Sequence, residues 1–474
     1  MTGRPLGPRL LVLVTPAAVL FTQTVTGPAL LQGAHDLGRP DLTTWPVGAA
    51  LLASTIGTPF LGRTADRYGM ARVMWWSLAA LAASSVVSGL APTMAWLIAA
   101  RAGAGLASGG LLVVAASALR NVVPRAEFAR FQGLSTTLAS VSTVVAPAVG
   151  GFLAESVSWR WSYLAAVPIA VVLMPLHRGL PEASGERGRL DVAGGLLLVL
   201  ASGSLLATAR TTVGPPMYRV TGTILLLAAA ALGTAAFAWQ EQRADHPLVH
   251  PDLFASRLFA RCSLLSTLYG VVLSAFPVQL QLFLQGPAGL RPAEAALQAT
   301  PLPLFTALAS TLYGRLGDRA AVGRRLAWGY GVSSAGLLLV VAHVRGVGPL
   351  LPGTVLLGAG LGLIQPAIGA VALYELAPSR VTSGVAVVQT CRTLGGALGA
   401  TLLSTLVVPN GGSGAVSGLL GPFEVLAVTA LAGMAVAAPL RTSTVAKLIP
   451  RHRRSRNGAP RGTTDLSVDS LLTS

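Results

Sequence analysis

Two arginines in apolar segments are the residues of this chain best placed to do chemistry. Arg101 lies in "LIAARAGAGLASGG" and Arg392 lies in "QTCRTLGGALGATLLST". A guanidinium inside an apolar helix is costly unless a partner or a watery cavity receives it, so a functional role is the first expectation. The alternative is structural, with the side chains reaching an interface or bonding helix-end carbonyls.

A third charged cluster, "LGRTADRYGMAR" at 61–72, lies between two apolar runs. It is echoed at 314–325 by "GRLGDRAAVGRR", in which Gly, Asp-Arg and a terminal Arg recur in the same order. The second copy has two extra residues between Asp318 and Gly323. A loop repeated in the two halves of a polytopic chain predicts an internally duplicated transporter. Chance similarity of Gly- and Arg-rich loops is the alternative.

The composition predicts helices that cross a membrane. Of 474 residues, 53% are hydrophobic and 11% are charged, and the mean hydropathy is +0.66. Soluble domains devote roughly a quarter of their residues to charge. The apolar blocks approach the ~20 residues that span a bilayer. We therefore expect an all-α integral membrane protein with about fourteen helices, at 9–31, 44–61, 73–91, 95–119, 131–154, 159–176, 192–209, 220–238, 262–285, 293–314, 326–343, 350–373, 383–408 and 421–440.

The net charge of +17 is distributed like a topology signal. Arg and Lys lie mainly in every second connection, which fits the positive-inside rule and places both termini in the cytoplasm. Nucleic acid is not an expected partner, because no basic soluble face is available. The apolar start of the chain could pass for a signal peptide, but further spans follow and favour a first transmembrane helix.

Cysteine and histidine spacing predicts no metal site. Cys262 and Cys391 are far apart and form no CxxC pattern. His246 and His250 are close in sequence, but they have no third ligand nearby and their segment contains two prolines.

The charged loop resembles the signature of the major facilitator superfamily, G-x-x-x-D-R-x-G-R-[KR]. "VVAPAVGGFLAESVSWRWSYLAAVP" resembles the family's antiporter motif G-P-x-x-G-G, with Ala146 for the first Gly, followed by the W-R-W turn of drug exporters. "LDVAGGLLLVLASG", "GAGLGLIQPAIG" and the segment around Arg392 resemble the fourteen-helix drug:proton antiporter branch. The resemblance covers about 9–440.

The resemblance implies two pseudo-symmetric six-helix bundles at 1–190 and 241–445, a central helix pair at 191–240, and a basic, disordered tail at 446–474. It implies a secondary transporter of a bacterial cell membrane, a functional monomer in the lipid bilayer. Such a protein exports a small amphipathic compound by proton antiport with alternating access. The proton gradient supplies the energy, and no bound cofactor is expected.

Two alternatives stay open. A metabolite uptake carrier of the same superfamily is disfavoured by the antiporter motif. A membrane enzyme would need a nucleophile–base pair or a metal cluster at one membrane face, and none is evident.

The resemblance also assigns a conformational latch at the cytoplasmic side and a pliable seam. Asp66 is expected near the start of the next helix, where a carboxylate can cap free N–H groups. A plain cap and topology anchor is the alternative to a latch. In the seam, a proline loosens the helix and two glycines permit close approach, although ordinary tight packing would use the same residues. The latch residues are Gly62, Asp66, Arg67, Gly69, Arg72, Asp318 and Arg319, and the seam residues are Pro147, Gly150 and Gly151.

The first span lacks the acidic residue usual in this branch, because Thr22 stands where the family has Asp. Glu155, at the end of the fifth span, becomes the proton-coupling candidate, while Glu375 and Glu424 also lie near helix ends. Two intramembrane arginines without a deep acid favour a cavity for a neutral or anionic amphipathic compound over a dication. Its expected polar contacts are Thr22, Gln23, Gln285, Gln389 and Arg392.

Overall fold

The computed structural model describes residues 6–123, 128–177, 180, 253–254, 256–315, 322–374, 381–405 and 415–441, with isolated positions between 197 and 240. Within these ranges the long regular elements are helices. They are α1 (Leu6–Thr24), α2 (Leu30–Asp36), α3 (Trp45–Tyr68), α4 (Met70–Gly89), α5 (Met94–Val122), α6 (Phe128–Ser156), α7 (Trp159–Leu164), α8 (Ala166–Leu173), α9 (Arg257–Gln285), α10 (Pro292–Ala299), α11 (Pro301–Arg315), α12 (Val322–Val344), α13 (Leu350–Tyr374), α14 (Val381–Thr405) and α15 (Ala415–Ala437).

Eight helical segments in the described ranges are long and apolar enough to cross a membrane. The chain is therefore a multi-pass membrane protein. The expected central helix pair and the C-terminal tail lie outside the described residues, so the count of fourteen stays a prediction. We call the end of the bundle where α1 begins and α3 ends the proximal end, and the opposite end the distal end.

Prolines divide two of the expected spans. The expected span at 293–314 consists of α10 and α11, which meet at Pro301, because proline has no N–H to continue the helical hydrogen bonds. The first helix ends at Thr24, ahead of Gly27 and Pro28, instead of reaching residue 31. The chain then forms the short α2 at the distal end.

The charged stretch at 62–72 is helical almost throughout, contrary to the expected loop. Helix α3 continues to Tyr68, Gly69 turns the chain with φ +95°, and α4 begins at Met70. Only glycine adopts this φ without strain, so the turn occurs there. The expectation that Asp66 lies at the start of the following helix is wrong, because it occupies the last turn of α3, and the N-cap of α4 is Gly69.

The helices pack as two groups with the same internal contacts. In the first half α1 packs against α6, α3 against α5, and α4 against α5 and α8. In the second half α9 packs against α14, α11 against α13, and α12 against α13 and α15. The large buried cluster of the second half lies within 253–440, and those of the first half lie within 11–180. Since each half has its own core, the halves can move relative to each other without unpacking.

The glycine-rich segments of α5 and α13 lie at helix contacts. A Cβ on Gly109 would clash with the backbone of Ser54 in α3, and one on Gly358 would lie 2.5 Å from the carbonyl oxygen of Leu302 in α11. Small residues allow such close approach between membrane helices. These glycines are therefore packing residues within membrane helices.

Candidate functional site: a distal gate and a central polar cluster

An ion pair joins the two halves at the distal end. Arg291, which precedes α10, places Nη1 2.9 Å from Oε1 of Glu155 in the last turn of α6. The Arg291 side chain is 68% exposed and the Glu155 side chain 32%. Exposed pairs of this kind contribute about 0.2–1 kcal/mol. The pair is therefore weak enough to break during a conformational change.

The Arg291 guanidinium contacts one carboxylate in each half. Its Nη2 lies 2.9 Å from Oε1 of Glu294, and its backbone N–H donates to Oε2 of the same carboxylate at 3.2 Å. These hydrogen bonds from Arg291 hold the pKa of Glu294 below its usual value. Glu294 thus keeps Arg291 in position on its own half, ready to meet Glu155.

A second polar contact closes the distal end. Gln285, the last residue of α9, donates from Nε2 to the carbonyl oxygen of Pro28 at 3.1 Å and to Oε1 of Gln281 at 2.8 Å. Gln23 lies in the last turn of α1, and its carbonyl oxygen accepts from Thr26 at 3.3 Å. Gln23 and Gln285, expected in the substrate cavity, therefore lie at the distal closure.

The two glycines of the seam in α6 contact different halves of the protein. Gly150 faces the backbone of Val25, just after α1. A Cβ on Gly151 would lie 2.8 Å from the carbonyl oxygen of Pro292 and 2.9 Å from Cα of Ala293, both in α10. Helix α6 is thus packed between α1 of its own half and α10 of the other. We call Glu155, Arg291, Gln285, Pro28 and Gly151 together the distal gate.

The middle of helix α14 is less buried than the segment that follows it. Residues 388–394 are all half-buried, whereas Gly395, Gly396 and Ala397 are buried. At the boundary, Thr55 Oγ1 of α3 donates to Thr393 Oγ1 at 2.8 Å, which joins the halves at mid-depth. The half-buried residues 388–392 lie on the proximal side of this contact.

Arg392 lies at that boundary, beside polar groups of two other helices. It is the twelfth residue of α14, about 17 Å along the helix at 1.5 Å per residue. Its guanidinium interacts electrostatically with the phenol of Tyr269 in α9, which donates from Oη to Oε1 of Gln365 in α13 at 3.0 Å. Gln389, three residues earlier, shares its helix face. We call these four residues the central polar cluster.

Arg101 and Thr22 have partners within the first half. Arg101 is 7% exposed, and its Cζ lies 5.7 Å from the ring centroid of Tyr163, a cation–π distance. The Thr22 hydroxyl donates to the carbonyl oxygen of Val19 at 2.8 Å, within α1. Its proton is therefore committed to its own helix.

The latch residues lie at the proximal end, where the described part of the chain covers only some of them. Gly62 lies in α3, and the Arg67 guanidinium lies 5.3 Å from the ring centroid of Tyr68. Arg72 is exposed near the start of α4. The Asp66 side chain and the whole of Asp318 and Arg319 lie outside the described residues. The latch stays a prediction.

The sequence interpretation missed Arg291, Tyr269 and Gln365. Arg291 could have been noted, because "RPAE" places a carboxylate at the third position of a helix that begins with proline. Gln365 is polar in the apolar run "LGLIQPAIG". Nothing local indicates that Tyr269 reaches it, since 96 residues separate the two.

Comparison with known proteins agrees with this architecture. An uncharacterised MFS-type transporter of Mycobacterium tuberculosis is 29% identical over 350 residues, which cover 72% of this chain and 50% of that protein. The chain thus spans about half the length of that relative. The multidrug resistance protein Stp of the same organism is 28% identical over 387 residues, 80% of this chain and 71% of Stp.

The fold also matches a solved transporter. The partially occluded, inward-open structure of the Escherichia coli xylose transporter XylE superposes with a TM-score of 0.61 at 14% identity, over 90% of this chain and 96% of XylE. The Major Facilitator Superfamily profile matches residues 12–400. With two matching helix groups, a gate between them and this profile over most of its length, the chain belongs to the Major Facilitator Superfamily.

Proposed function

We propose that this protein is a secondary active exporter of small amphipathic compounds that works by alternating access. The observation that carries the proposal is the pairing of a distal gate that joins the two halves with a central polar cluster on its proximal side, where Arg392 is half-buried and Gln365 is exposed. Because the two halves have separate cores, they can change from an arrangement closed at the distal end to one open at that end. This change requires only that the weak polar contacts of the gate break. The similarity to Stp, whose name describes multidrug resistance, supports export of drug-like molecules.

The positive-inside pattern supports a cytoplasmic proximal end, with both termini on that side of a bacterial cell membrane. The central polar cluster then lies on the cytoplasmic side of the gate, where an exporter collects its substrate. Proton antiport, with the proton gradient as the energy source, comes from the family resemblance. Glu155 is the candidate for proton coupling, because it is a carboxylate whose ion pair joins the halves.

Transport by the purified full-length chain in proteoliposomes tests this proposal. Molecules inserted with the proximal end outward should accumulate an amphipathic dye inside the vesicle when the lumen is acidic. Collapsing the pH difference should release the dye. An uptake carrier would give dye movement toward the proximal side. Such movement, or accumulation that ignores the pH difference, would reject proton-driven export.

Charge reversal at the gate separates a mechanical role of Glu155 from a proton-carrying role. Glu155→Arg should reduce export several-fold, because two guanidinium groups then repel at the distal contact. Combining it with Arg291→Glu should restore part of the export, because the reversed pair can form again, although the new carboxylate would lie beside Glu294. The measurement is the initial rate of dye accumulation in the vesicle assay.

Glu155→Gln and Arg291→Gln are the matched pair for this test. Both remove the ion pair, but only Glu155→Gln removes a titratable group. Equal reductions in export with normal pH dependence indicate a gate. Loss of proton-driven export in Glu155→Gln alone indicates that Glu155 carries the proton. If all of these variants export the dye as the wild type does, the ion pair has no role in the mechanism.

A further inference from the structure

We infer that the central polar cluster is a binding site for the anionic group of an amphipathic carboxylate, with Arg392 as the charged ligand and Tyr269 and Gln365 beside it. This inference rests on the proposed transport function and specifies its substrate class. It reaches beyond the sequence, which indicated Arg392 and Gln389 but neither Tyr269 nor Gln365.

The charge of Arg392 is not neutralised within the part of the chain that the structure describes. Its electrostatic partner there is the neutral phenol of Tyr269. The described carboxylates with ion pairs lie at the distal end, where Asp41 pairs with Arg39, Glu155 and Glu294 share Arg291, and Glu424 pairs with Arg345 at 2.6 Å. An intramembrane guanidinium without a carboxylate favours an incoming anion.

The Arg392 side chain lies on the interior side of α14. Tyr269, with which it interacts, is 2% exposed and therefore turned into the protein, away from lipid. The backbone of Arg392 packs directly on Gly270, which fixes α14 against α9 at this depth. Arg392 as a whole residue is half-buried, whereas Arg101 is only 7% exposed.

Gln365 is the exposed member of the central polar cluster. It is exposed, although Leu361 and Gly362, one turn earlier on the same face of α13, are buried. The outward face of α13 is marked by Leu356, which is exposed and lies nine residues earlier, on the opposite side at about 100° per residue. Gln365 is therefore exposed to the interior of the bundle. It lies on the same face of α13 as the buried Leu361 and Gly362, one turn closer to the proximal end.

The chemistry of the three groups suits a carboxylate. A guanidinium has five N–H donors in a planar fork that can hold both oxygens of a carboxylate. The amide nitrogen of Gln365 supplies further donors, while its oxygen already accepts from Tyr269 and keeps the amide oriented. The apolar remainder of the compound would lie against the half-buried residues of α14. A cation would meet the uncompensated charge of Arg392.

Equilibrium dialysis with the full-length protein in lipid nanodiscs tests the site. The probes are a fluorescent amphipathic dye with a free carboxylate and the ethyl ester of the same dye. The wild-type protein should bind the acid about tenfold or more tightly than the ester, as expected for charge-assisted hydrogen bonds. Arg392→Gln should remove that preference, and Arg392→Lys should restore part of it. Tyr269→Phe should weaken acid binding by a smaller factor.

Arg345→Gln is the matched control, because it removes an arginine from the distal surface without touching the cluster. It should leave the binding of both dyes unchanged. Unchanged ester binding shows that each variant is folded. If Arg392→Gln lowers acid and ester binding alike, or if the wild type does not distinguish them, the inference is overturned.

The proteoliposome assay distinguishes failure of the site from failure of the function. Charge-selective binding without dye movement would reject export and leave the site standing. Dye movement that favours the ester and is insensitive to Arg392→Gln would overturn the site and leave export standing. Selective binding together with selective movement supports both.

Discussion

Replacing Gly151 by alanine should reduce transport at least tenfold while the protein stays folded. The new Cβ would lie 2.8 Å from the carbonyl oxygen of Pro292 and 2.9 Å from Cα of Ala293, which is closer than backbone atoms tolerate. These atoms belong to the other half, so the clash is relieved by separating the halves and not by unfolding either one. We expect the protein to remain open at its distal end.

Two measurements check this expectation beyond the loss of transport. Spin labels at Leu90 and Val347, which are 67% and 66% exposed on the distal loops of the first and second halves, should move apart in Gly151→Ala. The apparent melting temperature should change little, since alanine is a better helix former than glycine. A label distance equal to that of the wild type would contradict the assigned role of Gly151.

The neighbouring glycine provides a control with the opposite result. Gly150→Ala places its Cβ against the backbone of Val25 in the same half, so it should lower stability by the ~1–3 kcal/mol typical of overpacking. Gly369→Ala, with no atom within 4 Å of the new Cβ, should affect neither stability nor transport. Ordinary tight packing at both seam glycines would instead make Gly150→Ala and Gly151→Ala alike.

Trp159→Ala should cause a large loss of stability. Trp159 is 1% exposed, packs against Gly33 of α2, and donates from Nε1 to Oδ2 of Asp36 at 2.7 Å. Truncating a buried tryptophan costs about 3–5 kcal/mol. We also expect reduced transport, because α2 follows directly on the segment with Pro28, which closes the gate with Gln285. Thermal unfolding in detergent and the vesicle assay measure the two effects.

Two further variants isolate the contributions of Trp159. Trp159→Phe keeps most of the apolar surface and loses the hydrogen bond to Asp36, so it should cost about 1.5–3 kcal/mol, the range for hydrogen bonds to charged groups. Trp161→Ala, two residues later and 51% exposed, should be nearly neutral. If Trp161→Ala is as damaging as Trp159→Ala, membrane or surface contacts explain the effect better than the Asp36 anchor.

The helices and the family could be predicted from the sequence because they depend on local properties. A run of apolar residues must become a helix in a bilayer, whatever its neighbours, because every backbone polar group needs a partner within the segment. The distribution of Arg and Lys among the connections then determines the topology. Helix ends were less predictable. At the end of α3 the turn depends on Gly69 alone, and the predicted position of Asp66 at the start of the next helix was wrong.

The candidate site could be predicted only in part. Arg392, Gln389 and the α6 glycines were recognisable because a charged, polar or glycine residue stands out within the apolar sequence of a membrane helix. That Gly150 faces its own half and Gly151 the other half depends on the rotation of α6 between two neighbours. Sequence spacing does not fix that rotation, because apolar residues occur on every face of α6.

What the sequence alone indicated is therefore a duplicated, multi-pass membrane protein that resembles the Major Facilitator Superfamily and has two arginines in its spans. The tertiary structure decided that Arg291 meets Glu155 across 136 residues of chain, and that Tyr269 meets Gln365 across 96. Such pairs arise when separate helices pack at one depth and orientation. The free energy of each such pair is too small to leave a recognisable pattern in the sequence of either helix. The positions of the pairs follow from the packing of all the other helices.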